Sequence, residues 1–305
     1  MSVSTVHVLH GILLSGSTFI SQLTDTTPAS NHEELIGRAS GHPDPLFIAN
    51  RGVRPDVTFN STQLKTLLDA VGSDYAADLS AGNTDLFYKK VTNLGTREAA
   101  ASTVHKRMRM ASGILYVESI GAAHQQDAAM SCRIVPIYNG TNNPIVPAGS
   151  LALAGTPAVT SFFTLGPVVI NSSQLPGVQS WRLMLGNSML ELGGDGEIFN
   201  TFCAIGETEP FLEVSGLEHA WDTYGLEGTA VSALTFALRK KATDGSNVAN
   251  GTAEHIVFTG SGGKIGVVNT QGGGNSPAAT TLRIPLRATS SSGAVVSFNS
   301  ATTIS

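Results

Sequence analysis

Charge is scarce in this chain. Lys, Arg, Asp and Glu make up 13% of its 305 residues, against about 25% in an ordinary globular protein. So thinly charged a surface suits a chain largely covered by copies of itself. It equally suits an all-β protein with a Ser/Thr-rich exterior. Cysteine is nearly absent: Cys132 and Cys203 alone cannot make a disulfide framework and read as two buried thiols. Aromatic residues are only 6%. No apolar run approaches the length needed to span a bilayer. The N-terminus, Met1 to His7, has no basic flank followed by an apolar core, so no signal peptide is expected. The four Asn-x-Ser/Thr matches, beginning at Asn60, Asn139, Asn171 and Asn250, then read as turn-rich loops of a protein made and kept in a reducing cytoplasm. Net charge is −5, which removes the basic footprint of sequence-independent DNA binding. Residues 1–155 hold 11 Lys+Arg against 12 Asp+Glu, net −1. Residues 156–305 hold 7 against 11, net −4.

Catalytic signatures are missing too. Gly260-Ser261-Gly262-Gly263-Lys264 resembles a phosphate loop, but Ile265 stands where a hydroxyl should meet magnesium and Phe258 where the first glycine should be. No Gly-x-Ser-x-Gly elbow occurs. His32, Glu33 and Glu34, with His42 and Asp44, gather potential metal ligands in one region, but no partner at helical or knuckle spacing completes a set. The expectation is a non-enzymatic protein with no cofactor and no bound metal.

What is abundant is turn-forming residues, with 33 glycines and 13 prolines, and a long-range echo. Phe47-Ile48-Ala49, Pro55 to Phe59 and the stretch from Ser61 to Gly72 recur as Phe202-Cys203-Ala204, Pro210 to Val214 and the stretch from Ser215 to Gly225. Val57 and Phe59, like Leu212 and Val214, alternate with polar residues at strand spacing. Leu64, Leu67, Leu68 and Val71 fall at i, i+3, i+4 and i+7, and so do Leu217, Ala220, Trp221 and Tyr224. That period puts each quartet on one face of a short helix. Ser61 and Ser215 are read as N-caps, and Gly72 and Gly225 as C-terminal stops. The offset between matching residues drifts in one direction. It is 155 for Gly11/Gly166 and Pro55/Pro210, 153 for Leu64/Leu217, 151 for Lys89-Lys90/Lys240-Lys241 and 150 for His105/His255. A few loop residues lost from one copy would produce that drift. The predicted fold is mainly β: two tandem β-sandwich domains, residues 1–155 and 156–305, each with one short flanking helix.

Along the chain, residues 5–15 read as a strand with a bulge near Gly11, and residues 23–46 as a long polar connection. In Gly113–Ala123, alternation places Ile114, Tyr116 and Glu118 opposite Leu115, Val117 and Ser119. Glu207, Glu209 and Glu213 are read as solvated or lumen-facing acids.

This layout resembles the major tail tube protein of long, flexible, non-contractile-tailed bacteriophages. The resemblance rests on Phe163 to Ile170 with Leu175-Pro176-Gly177-Val178, on Gly194-Asp195-Gly196-Glu197, and on Phe202-Cys203-Ala204 with Glu209 to Val214 ahead of the 217–224 helix. It implies a structural virion protein that forms trimeric, pseudo-hexameric rings stacked into a tube. Sheet edges would be satisfied by neighbouring copies. Other tail proteins would meet the tube ends, and viral DNA would pass through the lumen without specific binding. Three chains of −5 carry −15, the sign that repels a phosphate backbone. Glu207, Glu209 and Glu213 become candidate lumen acids. The segment holding His32, Glu33, Glu34, His42 and Asp44 becomes a candidate ring-stacking loop, together with residues 171–180. The helices would lie on the outside of the sheets or plug one end of each sandwich. The implied location is the virion tail, assembled in the host cytoplasm without membrane insertion. A duplicated β-sandwich tail component that binds a receptor or glycan is the alternative. Exposed aromatics at matching positions would mark it.

Overall fold

The computed structural model describes residues 5–38, 40, 42–92, 95–159, 161–194, 196–217, 228–273, 276–288 and 294–304. The chain is mainly β. Its first half contains β1 (Thr5–Leu14), β2 (Thr18–Ile20), β3 (Leu23–Ala29), β4 (His32–Gly37), β5 (Phe47–Val53), β6 (Asp56–Ser61) and helix α1 (Leu64–Val71). Then come β7 (Ala76–Asp78), β8 (Thr84–Thr92), β9 (His105–Met110), β10 (Gly113–Ala123), β11 (Ala129–Pro136) and β12 (Val146–Leu151). The second half contains β13 (Phe162–Ile170), β14 (Ser173–Gln174), β15 (Val178–Met184), β16 (Asn187–Leu192), β17 (Phe202–Thr208) and β18 (Phe211–Gly216). It ends with β19 (Leu234–Lys241), β20 (His255–Gly262), β21 (Gly266–Gly273), β22 (Ser276–Arg287) and β23 (Val296–Thr302).

The strand order of the first half recurs in the second. One sheet runs β12-β9-β8-β1-β2, and its counterpart runs β23-β20-β19-β13-β14. A second sheet runs β3-β6-β11-β10, matched by β15-β18-β22-β21. These last two are not separate. Strand β10 pairs with β15, so these eight antiparallel strands run continuously, with the short β7 also paired to the start of β10. The ends of β20 and β22 also pair, at Ser261–Arg287 and Gly262–Leu286, tying the second half's two sheets together at a corner. Hairpins β4–β5 and β16–β17 each form a separate two-stranded sheet, an arm.

Alternation explains the large sheet. Val57, Phe59, Leu212 and Val214 are buried on its core face, with Leu183, Leu282 and Ile284 beside them. Trp181 packs edge-on to Phe236, at 5.0 Å between ring centroids, and donates its indole N–H to the Ala237 carbonyl. A buried Trp needs such a partner. His105 and His255, 150 residues apart, are both fully buried and make the same two bonds. Each Nδ1 accepts a backbone N–H, from Lys90 or Lys240, at 3.0 Å. Each Nε2–H then donates to a carbonyl, of Ala99 at 2.9 Å or Ala249 at 3.0 Å.

The predicted quartet Leu64, Leu67, Leu68 and Val71 is the buried face of α1. It packs into the core beside Ile20, Tyr75 and Leu115. Gly72 ends the helix at φ 66°, where its N–H bonds the Leu68 carbonyl. Ser61 is not the N-cap. It closes β6, its hydroxyl donating to the Gln22 carbonyl and accepting the Gln63 N–H, and the helix begins only after Gln63. Ser215 likewise lies in β18, hydrogen-bonded to Thr281. In the second quartet Leu217 is 43% exposed; Ala220, Trp221 and Tyr224, with Gly225, lie outside the described residues.

Two further expectations change. Residues 23–46 are not one loop: they supply edge strand β3 and arm strand β4. In β10 the simple alternation breaks at a bulge between Val117 and Ser119. The extra residue returns Ile120 and Ala122 to the core face and turns Ser119 away from it. The bulge expected in β1 falls between Leu9 and Gly11.

Candidate functional site

The face of the eight-stranded sheet opposite the core carries a run of polar and charged residues. Strand alternation puts small polar residues there, because every second position of β6, β11, β10, β15, β18 and β22 must point away from the apolar layer. One rung runs Ala129, Gly121, Arg182, Glu213, Arg283, Gly266. The next runs Asp25, Asn60, Ser131, Ser119, Met184, Phe211. A hollow of about 610 Å³ opens on this face, lined by Asn60, Ser119, Ser131, Arg182, Glu213 and Ser215 among others. Arg182 donates to the Ser119 hydroxyl at 3.2 Å, and Ser131 to the Glu118 carboxylate at 3.3 Å. Arg133 is ion-paired with Asp56.

The predicted acids separate. Glu213 lies on this face, flanked across the strands by Arg182 and Arg283. Glu207 sits in the arm strand β17 and Glu209 in the connection to β18, both exposed. The face therefore interleaves both signs of charge. The predicted ligand-type residues lie on the other arm. His32, Glu33 and Glu34 are exposed on β4. Glu33 pairs with Arg54 at 3.4 Å. His42 donates through Nδ1 to the Asp44 backbone carbonyl at 3.1 Å. Among the described residues, no group of three or more His, Cys, Asp or Glu is placed to hold a metal.

Among the described residues the sheet has two borders without a further strand partner, β3 and β21, and both have paired counterparts inside the chain. Through their pairing with β6 and β18, β3 matches β15: the register shift between Leu23 and Asp25 recurs between Val178 and Ser180. Through β11 and β22, β21 matches β10: the shift between Val117 and Ser119 recurs between Val267 and Asn269. So the two free borders are the counterparts of the two strands joined at the β10–β15 junction. Alternation within single strands carries no trace of this. The signal that could have found it is the 150- and 155-residue offsets applied strand by strand. Sequence reasoning also missed the apolar character of the arms, where Leu35, Ile36, Leu46, Phe47, Ile48, Leu190, Leu192 and Phe202 are exposed, as are Val267 and Val268 on β21.

No helix among the described residues is long and apolar enough to cross a membrane. No protein-family model matches the chain, and no curated protein matches it in sequence.

Proposed function

We propose that this is a structural, self-assembling protein of a bacteriophage tail tube. Its copies join head to tail into trimeric, pseudo-hexameric rings that stack around a DNA-conducting channel. The observation that supports it is the pair of free borders. Strand β21 of one copy can meet β3 of the next as β10 meets β15 within the chain. A heterologous contact of this kind produces a ring if its rotation closes, and closure removes both open edges. Three chains of eight strands would line the channel with 24. The lining would be the small, polar face with Glu213 between Arg182 and Arg283, which offers a sliding phosphate backbone no uniform patch to hold. The protein performs no catalysis in this reading, and its partners are further copies, tail proteins at the tube ends and the passing DNA. Its place is the virion tail.

A second reading, a receptor- or glycan-binding tail component, draws on one observation. Phe47 and Phe202 occupy matching arm positions and are 56% and 48% exposed. Their neighbours Leu35, Ile36, Leu46 and Ile48 are exposed apolar side chains as well. That setting suits contact with protein better than a sugar, which needs polar donors beside the ring. Negative-stain imaging of the purified chain over a concentration series decides between them. Rings with a central pore, passing into tubes, are expected. A chain that stays monomeric throughout, and binds a glycan panel, would replace the first reading with the second.

A further inference from the structure

The arm β16–β17 does not project freely. Its tip reaches onto the first half of the chain. Val53 N–H donates to the Ile198 carbonyl at 2.8 Å, and Tyr138 N–H donates to the Asn200 carbonyl at 2.9 Å. Val53 and Phe199 form a parallel bridge, and the Tyr138 and Phe199 rings lie 6.3 Å apart. Lower on the arm, Asn187 Nδ2 donates to the Val117 carbonyl at 2.9 Å and Cys203 Sγ to the Val135 carbonyl at 3.7 Å. The arm, which follows β15 in the chain, thus reaches across to β10 and β11 beside the β10–β15 junction.

The arm β4–β5 is its counterpart and has the same tip length, 38–46 against 193–201. Subtracting 155 puts Pro43 and Pro45 where Ile198 and Asn200 stand, His32 at Asn187 and Ile48 at Cys203. The residues of the second half that match Val53, Tyr138, Val117 and Val135 are Thr208, Ala288, Val267 and Pro285. Thr208 and Ala288 each carry the backbone N–H that the strap would need, as Val53 and Tyr138 do. Val267 lies on β21 and Pro285 on the adjoining β22, Ala288 directly follows β22, and Thr208 ends β17 ahead of β18.

We propose that the arm β4–β5 is a lateral strap: it lies across the β21 border of a second copy of this chain, within one ring, rather than reaching to the ring above. This rests on the head-to-tail reading given above. Three observations fit the chemistry. The places taken by Pro43 and Pro45 use only a backbone carbonyl, so the missing proline N–H costs nothing there. His32, at the place of Asn187, keeps a side-chain N–H to donate. The surfaces to be joined are both bare: Ile48 is 64% exposed and Val268 54%, and burying apolar area of this kind drives association.

The test uses the full chain in three forms, with the wild type imaged first. In one variant, Ile48→Cys is combined with Pro285→Cys. In the other, Phe47→Asp and Ile48→Asp place carboxylates on the exposed arm, where they leave the monomer's circular dichroism unchanged. A lateral strap is expected to give disulfide-linked oligomers from isolated, unstacked rings, ending at the trimer. The aspartate variant should raise the concentration for ring formation by about tenfold or more, equivalent to about 1.4 kcal/mol. Rings of the cysteine variant that do not cross-link, or that cross-link only once stacked, overturn the strap while leaving the ring reading intact. So do aspartate rings that form normally but no longer stack. A wild type that forms no rings overturns both.

Discussion

Arg133 and Arg283 occupy the same rung of the two halves, yet their guanidinium groups are held differently. Arg133 is ion-paired with Asp56 and within 3.5 Å of the Tyr116 hydroxyl. At the position matching Asp56 the second half has Phe211, and Arg283 lies over its ring, 3.8 Å from the centroid. Removing Arg133 leaves a mostly buried carboxylate without its cation, whereas removing Arg283 forfeits only an exposed cation–π contact. Arg133→Ala is expected to cost about 1.5–3 kcal/mol, and Arg283→Ala about 0.5–1 kcal/mol. Urea unfolding of the dilute chain checks the order.

The helix quartets invite a paired test. Leu68 is fully buried in the core, so Leu68→Ala is expected to cost about 2–5 kcal/mol. Leu217, at a matching quartet position but 43% exposed, should tolerate alanine within about 0.5 kcal/mol. Denaturation midpoints of the two variants measure the difference.

The two buried histidines should behave alike. Replacing either His105 or His255 by alanine leaves a Lys N–H and an Ala carbonyl without partners. Each variant is expected to lose about 2–4 kcal/mol, and to do so equally. A difference beyond about 1 kcal/mol between them, read from unfolding midpoints, would show that the two sites are not equivalent.

The thiols differ in reactivity. Burial, with Glu118 nearby, raises the Cys132 thiol far above its ordinary range. Burial, helped by Glu191 and Asp78, pushes Cys203 up to about 11. At pH 8 about one Cys203 in a thousand is then the reactive thiolate, against roughly a quarter of free thiols. A chromogenic disulfide should label Cys203 slowly and Cys132 only after unfolding. A raised folded-state value means the neutral thiol is favoured on folding. That stabilisation is complete below the ordinary thiol range and is lost as pH rises toward 11. Unfolding midpoints should therefore fall between about pH 8.5 and 11, and Cys203→Ser should flatten the fall.

Local pattern was enough to find β6, β18 and the buried face of α1, because Val57, Phe59 and Leu64 to Val71 are spaced by the geometry that buries them. It failed at β3, where Thr-Asp-Thr-Thr-Pro-Ala on a sheet border shows little apolar alternation and reads as loop. It failed at Ser119, since a bulge shifts the period by one and no residue type announces it. Ser61 misled because its hydroxyl does bond a nearby N–H, but within a turn ahead of the helix. Of the acids singled out, Glu213 reached the polar face because it alternates with Leu212 and Val214 in β18. Glu207 and Glu209 left it because β17 folds away as an arm. The free borders are a property of pairing between distant segments, visible only when both halves are overlaid.

The β10–β15 junction is lined on its core side by Ile120, Leu183 and Trp181, all buried. At the same places the free borders carry Thr270, Pro28 and Thr26. A seam formed once, inside a single polypeptide, can be greasy and permanent. In the proposed ring, a border that stays bare until a sister molecule arrives is safer wet, with an imino acid blunting its ladder. On that proposal, carrying both halves in one chain would let the covalent joint and the intermolecular joint diverge in strength, one set for folding and the other for reversible coupling.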